Sequence, residues 1–306
     1  MFRILEKQQL TPLIYSMWVE APRIAESAKP GQFLIVRPSD NGERVPLTIC
    51  DYDPERGAVR IVIQIAGVSS NKICQMNVGD FLCDVAGPLG KPSDFMELPE
   101  QDLKGKRYLF VAGGVGAAPV YPQAKYLFEE GAHVDVIIGA RNKDLIIMED
   151  EMKEACTNLY ICTDDGSKGE KGVVTLLMER LCGDASSDAG AKCGDASSDA
   201  QKGTEGALSY DMCVAIGPMV MMKFATLTAR KLGLPITVSL NTLMVDGTGM
   251  CGACRVSVAG KTMFACVDGP EFNGYDVDFD EAMRRQTLYR KQEQEANAAA
   301  GLVLRR

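Results

Sequence analysis

The spacing of apolar residues changes period near residue 100, and that change divides the chain more sharply than any other feature in it. Before it, short apolar runs at residues 14–19, 32–36, 46–50, 59–65 and 80–85 are separated by turn signals such as Asn41-Gly42. Strands so short and closely spaced fit a small antiparallel barrel, interrupted at most by a short helix over residues 69–76. After the polar residues 99–106 the runs become continuous, at 107–112, 134–138, 159–163, 212–216 and 236–240, with helical spacing over 120–130. Continuous apolar runs alternating with helices make a parallel α/β sheet. The expected fold class is therefore α/β plus β. Residues 1–100 form a β-barrel domain and 101–240 an α/β nucleotide-binding domain. A Gly- and Cys-dense segment follows at 241–272, then a tail, 273–306, that turns helical from about residue 280.

One stretch breaks this order. Residues 182–189 recur unchanged as 193–200. Such Gly/Ala/Ser/Asp sequence has too little apolar surface to bury, so residues 182–206 read as a solvated insertion rather than a metal site built on Cys182 and Cys193.

Two counts narrow the chemistry. With 306 residues, two main domains are expected at about 150 residues each. The chain has a single histidine, His133, and 11 cysteines. One histidine leaves little room for Ser-His or Cys-His machinery, and many thiols with no export signal favour metal ligands over disulfides. Both point to electron or hydride transfer, in which a cofactor does the reacting. The net charge of −8 and the absence of a basic run argue against nucleic acid. No apolar stretch reaches the roughly 20 residues of a membrane span. A soluble, cytoplasmic protein is expected.

The strongest motif is Asp246-x4-Cys251-x2-Cys254-x11-Cys266. Plant-type 2Fe-2S sites use C-x4-C-x2-C and a distant fourth cysteine; here aspartate stands first. The intervening glycines suit a loop that turns tightly and directs N–H groups at sulfur. A hairpin through Ala259-Gly260 would return Cys266 to the loop. A zinc ribbon or simple buried thiols are the alternatives, and zinc usually takes two CxxC pairs where this chain has one. An Asp ligand keeps the charge of a thiolate but donates differently, so a shifted reduction potential is expected. Cys50, Cys74, Cys83, Cys156, Cys162 and Cys213 read mostly as core residues.

A second set of residues suits nucleotides. The run from Phe110 through Gly113, Gly114, Val115 and Gly116 to Pro119 is a strand entering a glycine turn and then a helix, a place where N–H groups approach a pyrophosphate. It is not the G-x-G-x-x-G fingerprint. Small residues at further strand ends, Gly139, Gly166 and Gly217-Pro218, place a shared crevice beyond the carboxyl ends of the sheet. Asp164 and Asp165 would accept from ribose hydroxyls and repel a 2′-phosphate, favouring NAD(H) over NADP(H), with Lys168 and Lys171 nearby; turn chemistry before Gly166 explains them equally simply. In the barrel, Arg44, Pro46, Leu47 and Thr48, with the turn from Gly67 to Ser69 and Ser70, offer a cation, hydroxyls and free N–H groups for a flavin.

Taken together these motifs resemble the ferredoxin–NADP reductase superfamily. Within it the chain is similar to electron-transfer subunits of type B dihydroorotate dehydrogenase. It is closer still to small subunits of NADH-dependent reduced ferredoxin:NADP oxidoreductase, also described as sulfide dehydrogenase subunits. The resemblance covers residues 1 to about 290, the insertion excepted. The arginine of the flavin motif, Arg44, sits one position earlier than the dihydroorotate-type pattern places it. Val62, Ile63 and Gln64, with Ser69 and Ser70, fall where that family contacts FAD. Asp246 discriminates, because the dihydroorotate-type subunits use four cysteines and the ferredoxin:NADP type uses Asp plus three Cys.

The resemblance implies FAD, a 2Fe-2S cluster and NAD(H) as substrate, with hydride passing to FAD and single electrons onward. It also implies a larger flavin and iron–sulfur subunit in a heterodimer, facing the cluster segment and tail, with ferredoxin an indirect partner and electron bifurcation a property of such complexes. The other readings are the dihydroorotate-type subunit, a stand-alone NADH-dependent flavin reductase, and a redox-sensing regulatory protein.

Overall fold

The computed structural model describes residues 1–183 and 209–302; most of the duplicated insertion lies outside them. Seven strands, β1 (Phe2–Thr11), β2 (Ile14–Glu20), β3 (Phe33–Arg37), β4 (Val45–Asp53), β5 (Ala58–Gln64), β6 (Phe81–Leu82) and β7 (Asp84–Leu89), form one antiparallel sheet in the order β6-β1-β2-β5-β4-β3-β7. The two edges of that sheet, β6 and β7, are consecutive in the chain, with only Cys83 between them. An open sheet whose edges are joined by one residue has to curl, which gives a nearly closed barrel. Its interior is filled by Ile4, Met17, Leu34, Val36, Ile49, Ile61 and Ile63. The expected single strand over residues 80–85 is thus two strands on opposite edges.

Two further differences concern elements whose signal is weak. β1 carries Glu6, Lys7, Gln8 and Gln9 and buries little beyond Ile4 and Thr11, so no apolar run marks it. The helix α1 (Pro22–Ser27) has Pro22 in its first turn, where a missing N–H costs nothing, and buries only Ile24 and Ala25. The short helix expected near residue 69 is α2 (Val68–Gln75).

A short helix α3 (Glu100–Leu103) leads into the second part. It comprises β8 (Arg107–Gly113), α4 (Ala117–Glu129), β9 (His133–Ala140), α5 (Glu149–Glu154), β10 (Asn158–Thr163), β11 (Glu170–Lys171), α6 (Val174–Cys182), β12 (Met212–Ile216), α7 (Met219–Leu232) and β13 (Ile236–Ser239). Cys182 is therefore the last residue of a helix and half-buried, not the start of a loop. Beyond it come β14 (Arg255–Val258), β15 (Lys261–Phe264), β16 (Glu271–Asn273), α8 (Phe279–Arg285) and α9 (Arg290–Ala299).

The second sheet runs β11-β10-β9-β8-β12-β13-β16. All its pairs are parallel except β13 with β16. From β8 the chain steps outward to β9 and β10, then returns to β12 on the other side. The strand order therefore reverses between β8 and β12, which is where open α/β sheets bind ligands. β14 and β15 pair as a hairpin, with Ala259 and Gly260 both at positive φ, as a type I′ turn requires.

The C-terminal segment is not a separate unit. One core joins Phe33 and Ile35 of the barrel, Leu109, Val111 and Ala215 of the α/β sheet, and Cys254, Val256, Cys266, Phe272 and Phe279 beyond it. A second joins Cys50 and Val62 of the barrel to Phe110, Val120 and Ile138. Burial on this scale, at about 25 cal/mol per Å², locks the three parts into one body.

Candidate functional site

At the end of β8 the chain makes a single tight turn, Gly114–Gly116, before α4. Neighbouring β12 ends at Gly217 and Pro218 before α7. The glycines here do two different jobs. A Cβ on Gly116 would stand 2.1 Å from the Ile216 carbonyl oxygen, and one on Gly113 would stand 2.9 Å from Pro218 Cδ. One on Gly217 would stand 3.0 Å from Gly113 Cα. These three let the two turns pack backbone against backbone. Gly114, at φ +56°, has nothing within 4 Å of its missing Cβ. It faces open space beside two helix N-termini, where a phosphate is favoured. Gly139 belongs to the packing class, since its Cβ would meet Val174 Cγ1. Val115 and Pro119 are half-buried in the same turn and the first turn of α4.

The two aspartates after β10 separate in the same way. Asp165 accepts from the Ser167 N–H at 2.9 Å, and hydrogen bonds from Ser167 hold its carboxyl below the usual range. It therefore builds the turn. Asp164 is exposed, and its carboxylate accepts no hydrogen bond from the described residues. Lys168 is paired with Glu149, whose carboxyl is held low by that lysine and Lys153, so its charge is already matched.

In the barrel, Pro46, Leu47 and Thr48 lie half-buried along β4, opposite Ile35, Leu34 and Phe33 of β3. Ile63 is fully buried in the barrel interior and Val62 faces the α/β sheet, so neither side chain is available to a ligand. Gln64 is exposed. Ser70 is committed to the turn before α2. Its hydroxyl accepts from Ala66 N at 2.9 Å and Gly67 N at 3.0 Å. Ser69 reaches Glu43. Arg44 is turned toward the C-terminal loop: Nε donates to the Val245 carbonyl at 3.1 Å and Nη2 to the Asp246 carbonyl at 3.4 Å. Its Nη1 lies 3.5 Å from Asp84 Oδ2.

That loop carries Cys251 and Cys254, two of the expected ligands. Gly247, Gly249 and Gly252 all have positive φ, and Met250 at its tip is 87% exposed. Cys254 and Cys266 are buried with their sulfurs 3.2 Å apart, while Cys251 is exposed. Asp246 Oδ2 accepts from Thr248 N at 3.0 Å and Met250 N at 3.4 Å, and these bonds with the Thr248 hydroxyl hold its carboxyl low. Among the described residues no three His, Cys, Asp or Glu side chains converge. The structure brings together two of the four expected ligands and puts the other two on the same loop.

The donors nonetheless suit an iron–sulfur group. Burial pushes the Cys266 thiol up to about 12, with Cys254 beside it adding to the shift. Two buried, adjacent thiols become thiolates once a metal supplies the positive charge. A Gly249 backbone hydrogen bond to Cys266 lowers that pKa, as N–H groups around cluster sulfurs do.

Sequence reasoning missed Glu271, on β16, which accepts from Gln123 Nε2 of α4 at 2.7 Å and belongs to no recognisable motif. It read Gly247 only as a turn residue, and the structure also packs it against the barrel wall.

Comparison with known proteins bears on both halves. Residues 241–278 match the iron-sulfur cluster binding domain of dihydroorotate dehydrogenase B, and residues 110–226 the oxidoreductase NAD-binding domain. A Clostridium beijerinckii protein described only as uncharacterised, in the adh 3′ region, is 50% identical, covering 97% of this chain and 93% of its own. A Thermotoga maritima homologue of the electron transfer subunit of dihydroorotate dehydrogenase B (NAD(+)) is 43% identical, over 95% of this chain and 92% of its own. Among solved structures, one determined for flavin-based electron bifurcation by NADH-dependent reduced ferredoxin-NADP oxidoreductase superposes with a TM-score of 0.82. It is 40% identical and covers 97% of this chain and 96% of its own.

Proposed function

The chain belongs to the family of dihydroorotate dehydrogenase B electron-transfer subunits and their homologues, and from that premise we propose that it is the small subunit of a ferredoxin:NADP oxidoreductase-type complex that bifurcates electrons. It is an NAD(P)H-linked flavoprotein oxidoreductase whose cofactors are FAD and an iron–sulfur cluster, and its family implies a larger partner subunit. The finer assignments are a 2Fe-2S centre held by Asp246, Cys251, Cys254 and Cys266, ferredoxin as a remote partner, and the cytoplasm as its place. Asp246 at the first ligand position favours this type over the dihydroorotate-type subunit.

The observation that carries the proposal is the packing of the sulfur loop on the flavin-side barrel wall. Gly247 sits against Ile35 and Leu89, and Arg44 bonds the carbonyls just before it. That contact supports a reading in which the proposed flavin surface of the barrel and the cysteine loop lie close together. FAD held by this barrel would supply acceptance of one hydride, that is two electrons, and a 2Fe-2S centre held by Asp246, Cys251, Cys254 and Cys266 would supply one-electron transfer.

The residues of the chain bind and orient. Pro46, Leu47 and Thr48, the backbones of Val62 and Ile63, and Gln64, Ser69 and the α2 N-terminus are the proposed flavin surface, with Ser70 shaping its turn. Gly114 and the N-termini of α4 and α7 would take the NAD(H) pyrophosphate, and Gly113, Gly116, Gly139 and Gly217 allow the close packing that shapes that crevice. Asp164, with no partner for its carboxylate among the described residues and Lys168 paired with Glu149, suits unphosphorylated ribose. No side chain has to move a proton. His133 opens β9, at the opposite end of the strand from Gly139, and its Nε2 lies 3.0 Å from buried Asp135.

Anaerobic NADH titration of the purified chain, followed by absorbance and low-temperature EPR, tests the proposal. Flavin bleaching with one rhombic 2Fe-2S signal is the expected result. Flavin that bleaches beside a silent metal site leaves a simple flavin reductase, and absence of flavin leaves a regulatory protein.

A further inference from the structure

We propose that Arg44 is a positioning residue of the iron–sulfur loop rather than a flavin anchor, clamping that loop to the barrel and setting the cluster's reduction potential through its permanent charge. This rests on the function proposed above. The geometry is specific. Arg44 Nε and Nη2 donate to two successive carbonyls, those of Val245 and Asp246, at 3.1 and 3.4 Å. The next residue, Gly247, is fixed from the other side, because a Cβ there would meet Ile35 Cδ1 at 2.4 Å and Leu89 Cδ1 at 2.9 Å. Residues 245–247 are thus held between the guanidinium and the barrel wall, immediately before the turn that carries Cys251.

The chemistry follows from charge. A guanidinium stays protonated throughout the accessible pH range. One-electron reduction of a cluster adds one negative charge to it, and a fixed cation nearby stabilises the reduced form, raising the midpoint potential. Asp84, 3.5 Å from Nη1, partly offsets that cation. Arg44 and Asp84 side chains are 33% and 39% exposed, so the field is screened but not lost. A lysine would keep the charge but not the forked donation to two carbonyls.

The experiment is EPR-monitored potentiometric titration of the purified full-length chain, with iron, acid-labile sulfide and FAD counted for each variant. Arg44→Gln should shift the cluster midpoint to more negative values while retaining FAD at the level of the parent. Arg44→Lys should restore most of the shift. Asp84→Asn, which frees the guanidinium from its counter-charge and leaves the clamp in place, should move the midpoint the opposite way. That opposite sign keeps the test decisive should Arg44→Gln fold poorly. An unchanged midpoint in Arg44→Gln and Asp84→Asn overturns the proposal, as does loss of FAD from Arg44→Gln with the cluster unaltered. A parent chain with flavin but no iron or sulfide would instead remove the underlying functional reading.

Discussion

Gly247 stands so close to Ile35 that a Cβ at its ideal position would lie 2.4 Å from Ile35 Cδ1. Its φ of +84° adds a second obstacle to any side chain. Gly247→Ala should therefore lose stability twice, by about 1–2 kcal/mol for the left-handed backbone and about 1–3 kcal/mol for overpacking. Because the overpacked contact is the loop's own seat on the barrel, iron and sulfide per chain should fall further than FAD does. Metal analysis alongside thermal unfolding checks this, and equal loss of all three cofactor components would assign Gly247 to general folding.

The glycines of the nucleotide crevice give a contrasting pair. Gly116→Ala drives a Cβ into the Ile216 carbonyl oxygen, which is backbone and cannot swing aside. A destabilisation of roughly 3 kcal/mol is expected, with β8 and β12 forced apart. Gly114→Ala meets no atom within 4 Å and should cost only about 1 kcal/mol for its positive φ. Its added methyl would instead project toward the phosphate position, raising the KM for NADH about tenfold with kcat little changed. NADH:ferricyanide kinetics and urea unfolding on both variants separate the effects.

Asp246 has two roles to tell apart, since its carboxylate already accepts backbone N–H groups from Thr248 and Met250. Asp246→Asn keeps an oxygen for those bonds but lacks the charge a ligand needs. The loop should stay folded while iron content drops several-fold or the EPR g-values change. Asp246→Cys, restoring a charged donor of softer character, should recover the cluster with a shifted midpoint potential. An Asn variant with the spectrum and potential of the parent would reduce Asp246 to a turn former.

What could be read in advance follows from the range of each signal. β8, β9 and β12 are buried on both faces, so each is a near-continuous apolar run that needs no knowledge of its neighbours. The ligand spacing from Asp246 to Cys266 is likewise local, and so is the glycine turn after β8. β1 escaped notice because a barrel wall buries one face only and its exposed positions are charged or amide side chains. β16, three residues long, is a strand only because β13 offers it an edge. The contact of Arg44 with Val245, 201 residues away, is encoded by no pattern within its own motif.

Glu271 gives the last prediction, because it joins three parts of the molecule without a salt-bridge partner among the described residues. Its carboxylate lies against Gln123 of α4 and close to Gly31 of the barrel, with Asp94 the charged neighbour that acts on it. Burial pushes its pKa from 4.5 up to about 7, Asp94 adding to the shift and the Gln123 hydrogen bond opposing it. The folded chain therefore holds a proton here that the unfolded chain has already released between about pH 4.5 and 7. Stability contributed by that proton is complete below the lower value, falls as pH rises through the window and is gone above it, a loss of up to about 3 kcal/mol. Glu271→Gln keeps an acceptor for Gln123 and has nothing to ionise. At pH 8 it should be more stable than the parent by urea unfolding, and at pH 5 most of that advantage should be absent. A parent and variant whose stabilities run parallel between pH 5 and 8 would mean that Glu271 is ionised throughout, with solvent reaching the junction between β16, α4 and the barrel.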